Sequence, residues 1–333
     1  MRSGDIAICM SSGSPAVVGK SALLSGCFEG SVGAFCAIVR PHVDRIVPEY
    51  LSFFLRSERF RDWTRRSSGS AIKNIRKSEL EAFELDLPEL DEQCRIVDLL
   101  ARAEGIVRLR REARQKAAEL IPAIFIDMFG DPATNPNGWP VATLGEVVVS
   151  GPSNGLYKHK SAYGTGTPIL RIDGFYDGVI TDLIQLKRVR LDDEDELRRF
   201  ALAEGDIVVN RVNSPEYLGK SAIVPRLAEP TVFESNMMRF SVDKSRVLPE
   251  FVIALLQQPA SRRHLLVNAK HAINQSSINQ QDVKSVRVPM PSVALQQVFA
   301  QRIGAVASIR SQQAEALNKA TATFDALLSR AFH

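Results

Sequence analysis

The heptapeptide "GDIAICM" at residues 4–10 decides the fold, because it returns as "GDIVVNR" at residues 205–211. A second pair follows at nearly the same distance, with "GKSALL" at residues 19–24 and "GKSAIV" at residues 219–224. Segments that recur at a constant offset indicate a duplicated structural unit. Three more pairs extend the repeat along both copies: 48–57 with 249–258, 70–75 with 271–278, and 85–90 with 286–291. The sequence therefore predicts two copies of one strand-rich domain.

The Gly-Lys-Ser of the first copy also ends a nucleotide-binding pattern. In that pattern four residues separate the first glycine from the Gly-Lys pair, so that backbone N–H groups surround the phosphates. Here five residues separate Gly13 from Gly19 and Lys20, and the second copy has Ser214 where the glycine would be needed. Because the element recurs within the repeat, we interpret it as part of the strand-rich domain and predict no nucleotide loop.

The composition is that of an ordinary globular chain and excludes several classes of protein. The 333 residues are 45% hydrophobic and 24% charged, enough for two domains with their own cores. The four cysteines show no C-x-x-C spacing and the five histidines form no H-E-x-x-H motif, so the sequence predicts neither a metal site nor a disulfide framework. No apolar stretch has the length of a signal peptide or a membrane span. We therefore expect a cytoplasmic protein that does not contact membranes.

Basic residues are concentrated in two stretches, although the net charge is only +4. The segment "RSERFRDWTRRSSGSAIKNIRK", residues 56–77, carries eight basic residues against Glu58 and Asp62. The segment "RLRREARQK" follows at residues 108–116. Each stretch has two interpretations, which are a solvated helix face with mixed charges and a surface that binds a polyanion. The sequence leaves both open.

Each copy of the repeat is followed by a long helical pattern. Positions four and three residues apart are mostly apolar from Ile96 to Met128 and again from Phe299 to Ala331, which is the seam of a coiled coil. Polar residues near the middle of both seams would meet in an antiparallel pair and resist a register slip. The expected interface residues are Ile96, Leu100, Val107, Arg110 and Ile121 in the first helix, and Ile303, Val306, Gln313, Leu317 and Phe324 in the second. The alternative is that each helix packs on its own domain.

A proline interrupts the first helical pattern at Pro122. Proline lacks the backbone N–H of a helical residue, and its ring crowds the carbonyl four residues earlier. We therefore expect the first helix to kink or to end near Leu120.

A two-fold repeat of a strand-rich domain and a long helix, with basic surface, resembles the specificity subunit of type I restriction-modification enzymes. The resemblance covers nearly the whole chain and depends on the order of several motifs. These are "GDI" entering a strand, the "P-E-Y-L" and "P-E-F-V" helix starts, the "LP" and "MP" strand ends that lead to "DEQCRIV" and "ALQQVFA", and "MFGDPATNPNGWPVATLGE" at residues 128–146. The last run is typical of the junction between the central helix and the second recognition domain.

The resemblance implies an α/β (α+β) fold, in which two target recognition domains form an internal repeat and are separated by two long antiparallel helices in a coiled coil. The expected boundaries are 1–95 for an incomplete first target recognition domain, 96–130 for the central spacer helix, 131–295 for the second target recognition domain and 296–333 for the C-terminal spacer helix. The first domain is expected to be incomplete because residues 139–204 precede "GDIVVN", whereas three residues precede "GDIAIC". Open strand edges favour pairing with another chain, so a second copy or a separate chain that completes the domain is a further candidate partner.

The resemblance also implies a protein without catalytic residues of its own. Such subunits read the two halves of a split sequence in double-stranded DNA, and they dock methyltransferase (M) and restriction (R) subunits. The residues agree, because there is no N-P-P-Y-type methylation motif (Asn135-Pro136-Asn137 is the nearest), no dinucleotide glycine fingerprint and no helicase Walker pair. We expect no cofactor in this chain, since S-adenosylmethionine, ATP and Mg would belong to the partner subunits.

Polar clusters beside the predicted strands supply candidate DNA-binding residues. Arginine can pair with guanine O6 and N7, asparagine and glutamine with adenine, and lysine with phosphates. The candidates are Lys158, His159, Lys160, Asn210, Arg211, Asn213, Lys220, Asn274 and Gln275 in the second domain, and Lys73 and Arg76 in the first. We expect "NRVNS" at residues 210–214 to be a loop at a strand end. Other interpretations stay open, because asparagine and serine also form turns and cap helices, and a lysine can be a solvated surface residue.

Two other functions stay open from the sequence alone. The chain could be an inactive remnant that binds methyltransferase without reading DNA, or a helical adaptor whose repeated domains bind protein. A steep loss of DNA affinity with salt would support phosphate neutralisation. Salt-insensitive binding to a protein partner alone would favour the adaptor.

Overall fold

The computed structural model describes all residues except 15, 27, 67–72, 181, 182, 184, 268, 273 and 274, and the side chains of residues 73, 271 and 272. The chain divides into two compact units. The first unit comprises Met1–Arg114 and Ser311–His333, and the second comprises Gln115–Arg310. Each unit therefore contains one copy of the repeat together with part of both long helices.

The first unit begins with the strands and helices of the first repeat copy. Its strands are β1 (Ile6–Cys9), β2 (Ser11–Ser12), β3 (Ser21–Leu23), β4 (Cys36–Val39) and β5 (Lys73–Asn74). Its helices are α1 (Pro48–Phe54), α2 (Glu58–Arg66), α3 (Lys77–Glu81) and the first part of α4 (Leu90–Phe129). In an antiparallel sheet β1 lies between β3 and β4, and β2 pairs with β5.

The second unit adds strands before the second repeat copy and pairs them with it. Its strands are β6 (Val141–Thr143), β7 (Val148–Asn154), β8 (Tyr163–Leu170), β9 (Phe175–Tyr176), β10 (Gly178–Ile180), β11 (Lys187–Val189), β12 (Ile207–Asn210), β13 (Val212–Asn213), β14 (Ser221–Ile223), β15 (Val232–Phe233), β16 (Met237–Val242), β17 (Lys270–Ala272), β18 (Gln275–Ser277) and β19 (Arg287–Pro289). Its helices are α5 (Leu144–Val147), α6 (Glu194–Phe200), α7 (Pro249–Leu256), α8 (Pro259–Val267), α9 (Gln280–Lys284) and the first part of α10 (Val293–Ala331).

The largest sheet of the second unit contains the counterpart of the first unit's sheet. Its strand order is β7-β16-β12-β14-β10-β9, and the neighbours β16, β12 and β14 correspond to β4, β1 and β3 in order and in antiparallel pairing. Smaller sheets have the orders β11-β8-β15, β13-β18-β17 and β19-β6. One sheet topology is thus built twice, which is the duplication that the sequence predicts.

The repeated glycines form equivalent turns in both copies. Gly4 and Gly205 have φ of 86° and 85°, and Gly19 and Gly219 have φ of 81° and 72°. Glycine adopts this region without the steric penalty that other residues meet. In each copy the Gly-Lys pair directly precedes a strand, β3 or β14, whereas a phosphate loop precedes a helix. The Gly-Lys-Ser element is therefore a strand turn of the repeat.

The apolar residues expected at the helix interface are packed inside their units. They are buried or packed against the core of their unit: Ile96, Leu100, Val107, Leu317 and Phe324 in the first unit, and Ile121, Ile303 and Val306 in the second. Between them, Arg110 Nη1 donates to Gln313 Oε1 at 3.5 Å. The helices run antiparallel, because the first part of α4 packs with the last part of α10. The predicted α/β fold with a long helix pair is confirmed.

Both helices also pack on the repeat domains, so the two interpretations of the apolar seam apply together. In the first unit the Phe324 ring centroid lies 6.4 Å from that of Phe53 in α1. In the second unit Phe129 of α4 lies 4.8 Å from Phe251 of α7, and 5.2 Å from Phe299 of α10. These aromatic contacts join each part of the helix pair to its own domain.

The first helix does not end near Leu120, because α4 continues through Pro122 to Phe129. A proline inside a helix costs about 3 kcal/mol. Phe125 and Phe129, in the turns after the proline, are buried in the core of the second unit. Burial of each such side chain stabilises by about 1.5–3 kcal/mol, which offsets the cost of the proline.

A buried glutamine near the start of each long helix holds the repeat domain, and the sequence analysis missed it. Gln93 Oε1 accepts the Val47 N–H at 2.9 Å, and Gln296 Oε1 accepts the Leu248 N–H at 2.8 Å. The amide nitrogens donate to equivalent backbone carbonyls: those of Arg45 and Pro88 in the first copy, and those of Arg246 and Pro291 in the second. Each glutamine thus satisfies a backbone donor at the start of α1 or α7.

Candidate nucleic-acid interface

The register of the largest sheet brings three chain segments to one of its ends. Strand β12 ends at Asn210, which lies opposite Met237, the first residue of β16. The neighbouring Met238 lies opposite Asn154, the last residue of β7. The segments that follow β7 and β12 therefore share one end of the sheet with the turn that precedes β16. We name this region the polar end and define it as residues 155–161, 210–214, 217–221, 234–236 and 275–277.

Two clusters that the sequence analysis selected separately meet at the polar end. Val212 and Asn213 form β13 and pair with Ser277 and Ser276 of β18. Gln275 is the exposed first residue of β18. The pairing therefore places the amide side chains of Asn213 and Gln275 on neighbouring strands.

The first unit has a shorter version of this small sheet, in which β2 pairs with β5 and Ser11 lies opposite Asn74. Arg76 follows β5 and is exposed. The side chain of Lys73 and the whole of Asn274 lie outside the described residues, so the structure does not place these two candidates.

Arg211 connects the segments of the polar end. Its Nη1 donates to Ser235 O at 3.0 Å, and the Ser235 N–H donates to Leu156 O at 2.9 Å. Arg211 is thereby tied to the segment that follows β7. Two residues later, Asn213 Oδ1 accepts the N–H of the next residue, Ser214, at 2.8 Å.

Asn210 is not the loop residue that the sequence analysis expected. It is the last residue of β12 and its exposed fraction is 0%. Its backbone N–H donates to Lys220 O at 2.8 Å, and its Nδ2 donates to Tyr217 O at 3.4 Å. The strand ladder continues through Asn210, so the side chain is enclosed and supports the turn at residues 217–220. A base contact by Asn210 does not fit this position.

Lys158 forms ion pairs with two carboxylates, so the predicted phosphate contact by Lys158 does not fit the structure. Its Nζ lies 2.6 Å from Asp192 Oδ2 and 2.7 Å from Glu196 Oε2, and its side chain is 9% exposed. The hydrogen bonds to Asp192 and Glu196 raise the pKa of Lys158. Both acids lie at or near the start of α6, where negative side chains are favoured, and they hold the lysine away from an external anion.

The residues on either side of Lys158 face solvent. Lys160 is exposed, and His159 Nδ1 accepts the Ser161 N–H at 3.4 Å at the start of a 3-10 turn, Lys160–Ala162. Tyr157 is 78% exposed. Tyr157 is not among the residues predicted from the sequence, although an aromatic residue interleaved with basic ones in "YKHKS" is a pattern typical of nucleic-acid contacts.

Lys220 is neither a free phosphate ligand nor a solvated surface lysine, the two interpretations that the sequence leaves open. Its Nζ donates to Ile172 O at 2.8 Å. The same nitrogen lies 3.8, 4.8 and 5.4 Å from the ring centroids of Tyr176, Phe175 and Tyr217. Burial lowers the pKa of Lys220 to about 8. The amine therefore holds the β9 segment against the turn that precedes β14 through cation–π contacts.

Buried polar atoms without a hydrogen-bond partner are concentrated at the polar end. In the part of the chain that the structure describes there are four, and three of them are Asn210 Oδ1, Arg211 Nε and Ser221 Oγ. The fourth, Ser21 Oγ, occupies the equivalent position in the first copy. Buried polar groups in folded proteins nearly always have a partner, so a cluster of exceptions indicates a place where water or a ligand completes the hydrogen bonding.

Neither a membrane span nor a metal site is evident among the described residues. No helix there is long and apolar enough to cross a membrane. No group of three or more His, Cys, Asp or Glu side chains is placed to hold a metal ion.

The chain is similar to known proteins along almost all of its length. Residues 5–119 match a family model described as a type I restriction modification DNA specificity domain. The chain is also 27% identical over 345 residues to the StySPI type I restriction enzyme specificity subunit of Salmonella potsdam, a match that covers 98% of this chain and 74% of that protein. The chain is thus similar, over nearly its whole length, to type I restriction enzyme specificity subunits. The EcoKI specificity subunit of Escherichia coli K12 is likewise 27% identical over 347 residues, with 98% and 74% covered.

Two solved structures share the fold of this chain. A chain solved in work on complex assembly and conformational transition of the type I R-M system superposes with a TM-score of 0.61 at 20% identity, covering 100% of this chain and 82% of that one. The type I restriction-modification S subunit from M. genitalium superposes with a TM-score of 0.55 at 16% identity, with 100% and 84% covered. Both agree with the predicted fold class.

Proposed function

We propose that this chain reads a sequence in double-stranded DNA as the specificity subunit of a type I restriction-modification complex. The observation that carries the proposal is the polar end of the second unit. There the strand pairing collects Arg211, Asn213 and Gln275, and the exposed Lys160 follows β7 in the segment 155–161.

These side chains have the chemistry of base and phosphate contacts. A guanidinium can donate two N–H groups to guanine, an amide can pair with adenine, and an ammonium neutralises a phosphate. Arg211 Nε is already a buried donor without a partner. An enclosed water beside Arg211 would satisfy this donor, because a buried donor without a partner costs about 1–3 kcal/mol.

The long helices supply a surface for the methyltransferase subunits in this proposal. Leu99, Ile106 and Leu109 of α4 are each more than half exposed. Their spacing of seven and three residues places them on one helix face. Exposed apolar patches on soluble proteins mark interaction sites. We propose that methyltransferase subunits dock on this face and in turn recruit the restriction subunits.

The chain itself carries no catalytic step in this proposal. Methyl transfer and DNA cleavage would take place in the partner subunits, which would bind S-adenosylmethionine, ATP and Mg. The groups at the polar end are cations, amides and hydroxyls that hold DNA by hydrogen bonds and charge.

Selection from a pool of random DNA duplexes tests the proposal. The full chain is expected to enrich one sequence motif. Arg211→Lys is expected to reduce the preference for one base pair of the motif by about 1–3 kcal/mol, because an ammonium keeps the charge but cannot make two parallel hydrogen bonds to guanine. The conservative substitution leaves general attraction to phosphates in place.

Arg226→Lys is the matched control, since Arg226 is an exposed arginine of the same unit outside the polar end. It is expected to leave the motif unchanged. An unchanged preference in Arg211→Lys would remove Arg211 from the base contacts. The absence of any enriched motif with the unsubstituted chain would contradict the proposed function.

A further inference from the structure

The two basic stretches of the first unit come together in one groove. The surface formed by two adjoining cavities of about 430 and 590 Å³, which share Arg56 and Arg61 among their lining residues, lies beside α2 and α4. We name it the basic groove after the cations that line it: Lys20, Arg56, Arg61, Arg65, Arg108 and Arg111. The arginines come from the segments 56–77 and 108–116, which the sequence analysis singled out for their charge.

Positive charge exceeds negative charge in the basic groove. Its lining includes two carboxylates, one of which, Glu104, pairs with Arg56 at 2.5 Å. Arg61, Arg108 and Arg111 are exposed. Throughout the described ranges of the chain, none of these three has an acidic side chain within 4.0 Å of its guanidinium. Uncompensated arginines on one surface raise the local concentration of anions.

The fold fixes the groove in place. The Arg56 guanidinium lies 5.3 Å from the ring centroid of Phe53 and 5.6 Å from that of Phe324, and both rings are buried. Lys20 follows Gly19, whose φ of 81° and close approach to α2 bring the turn against that helix. Arg56, which packing holds in place, can contact an anion with a smaller loss of side-chain entropy than a mobile side chain would.

The matching place in the second unit differs in both charge and access. By the repeat, Gln257 stands where the first copy has Arg56. Lys220, the counterpart of Lys20, lies beneath the Tyr176 ring, whereas Lys20 is exposed. Arg262, the counterpart of Arg61, is kept in the second unit, where its Nη2 donates to Glu216 O. The two copies therefore share this arginine, whereas the cation at position 56 and the exposed lysine are features of the first unit.

We infer that the basic groove binds the phosphates of duplex DNA, apart from the bases that the polar end reads. Exposed arginines donate paired N–H groups to phosphate oxygens. Such contacts position a duplex but carry no sequence information, so the groove would add affinity and register rather than specificity. The inference rests on the proposed function, because it takes the same duplex as its ligand.

Salt titration of DNA binding tests the inference with the full chain and a duplex that lacks the selected motif. The groove variant combines three substitutions: Arg61→Gln, Arg108→Gln and Arg111→Gln. Each lost phosphate contact is expected to reduce the slope of log K against log salt by about 0.9, which is about 2.7 for three contacts. Because the three side chains are exposed, circular dichroism is expected to show an unchanged fold.

Two matched variants separate phosphate contact from net charge. The charge control removes the same charge from exposed residues of the first unit outside the groove: Lys77→Gln, Arg95→Gln and Arg102→Gln. Its salt slope is expected to equal that of the unsubstituted chain. The second variant carries lysine at Arg61, Arg108 and Arg111 and so keeps the charge. It is expected to retain most of the slope of log K against log salt.

The outcomes distinguish this inference from the proposed function. Equal slopes for the groove variant and the unsubstituted chain would overturn the inference, while motif selection by the polar end would stand. Equal losses in the groove variant and the charge control would also overturn it, because net charge would then explain the effect. An acidic protein partner lost from the groove variant, with DNA slopes unchanged, would assign the groove to protein. If the unsubstituted chain binds no duplex, both proposals fail.

Discussion

Phe299→Ala is expected to lower the free energy of unfolding of the second unit by about 3–5 kcal/mol. The ring is fully buried, and its centroid lies 5.2 Å from that of Phe129 and 5.9 Å from that of Phe125. Alanine would remove the ring and leave a cavity among side chains held by α4 and α10. Trp139 reports on this core, because its indole N–H donates to Phe129 O at 3.0 Å.

The loss of unfolding free energy is measured by denaturant unfolding, followed by the fluorescence of Trp139. The background variant Trp63→Phe removes the other of the two tryptophans in the chain. Val298→Ala is the control, since Val298 precedes Phe299 on α10 and is 42% exposed. The control is expected to change the free energy of unfolding by no more than about 0.5 kcal/mol. Equal effects of the two substitutions would contradict the core described here.

Gln296→Leu is expected to destabilise the second unit by about 3 kcal/mol, although leucine has a similar size and is more apolar. The change removes the acceptor of the Leu248 N–H and the donor to the carbonyls of Arg246 and Pro291. Each buried group left without a partner costs about 1–3 kcal/mol. The same denaturant titration measures the loss.

The adjacent Gln297→Leu is a closely matched control, because Gln297 is exposed on the same helix. It is expected to be nearly neutral. Gln93→Leu is expected to destabilise the first unit by a similar amount, with Trp63 as the reporter, since Gln93 makes the equivalent three hydrogen bonds. Neutral effects of both buried substitutions would show that the two glutamines do not hold the repeat domains.

The duplicated sheet and the long helices could be predicted because their signals are local. Gly4 and Gly205 mark turns that need positive φ, and the apolar seam of α4 follows from helical spacing alone. A helix end near Pro122 follows from the same local rules, but α4 continues past it, because burial of Phe125 and Phe129 outweighs the cost of the proline. Tertiary packing determines whether α4 continues past Pro122, and the local sequence does not reveal that packing.

The candidate site depends on contacts between distant residues, and its details could be predicted only in part. Arg211 and Gln275 were selected by residue type, but their place on the paired segments of β13 and β18 follows from strand register. Lys158 could not be assigned correctly, because its partner Asp192 lies 34 residues later. The buried state of Asn210 likewise follows from pairing on both sides of β12, which residue type does not reveal.

Mapping of modified bases by long-read sequencing tests the central claim most directly. The DNA comes from cells that co-express this chain with a type I methyltransferase subunit. The account predicts modification within one sequence motif that depends on this chain, and loss of preference at one base of the motif with Arg211→Lys but not with Arg226→Lys. Modification that is absent, or that is unchanged when the chain is omitted, would contradict the claim that the chain reads DNA.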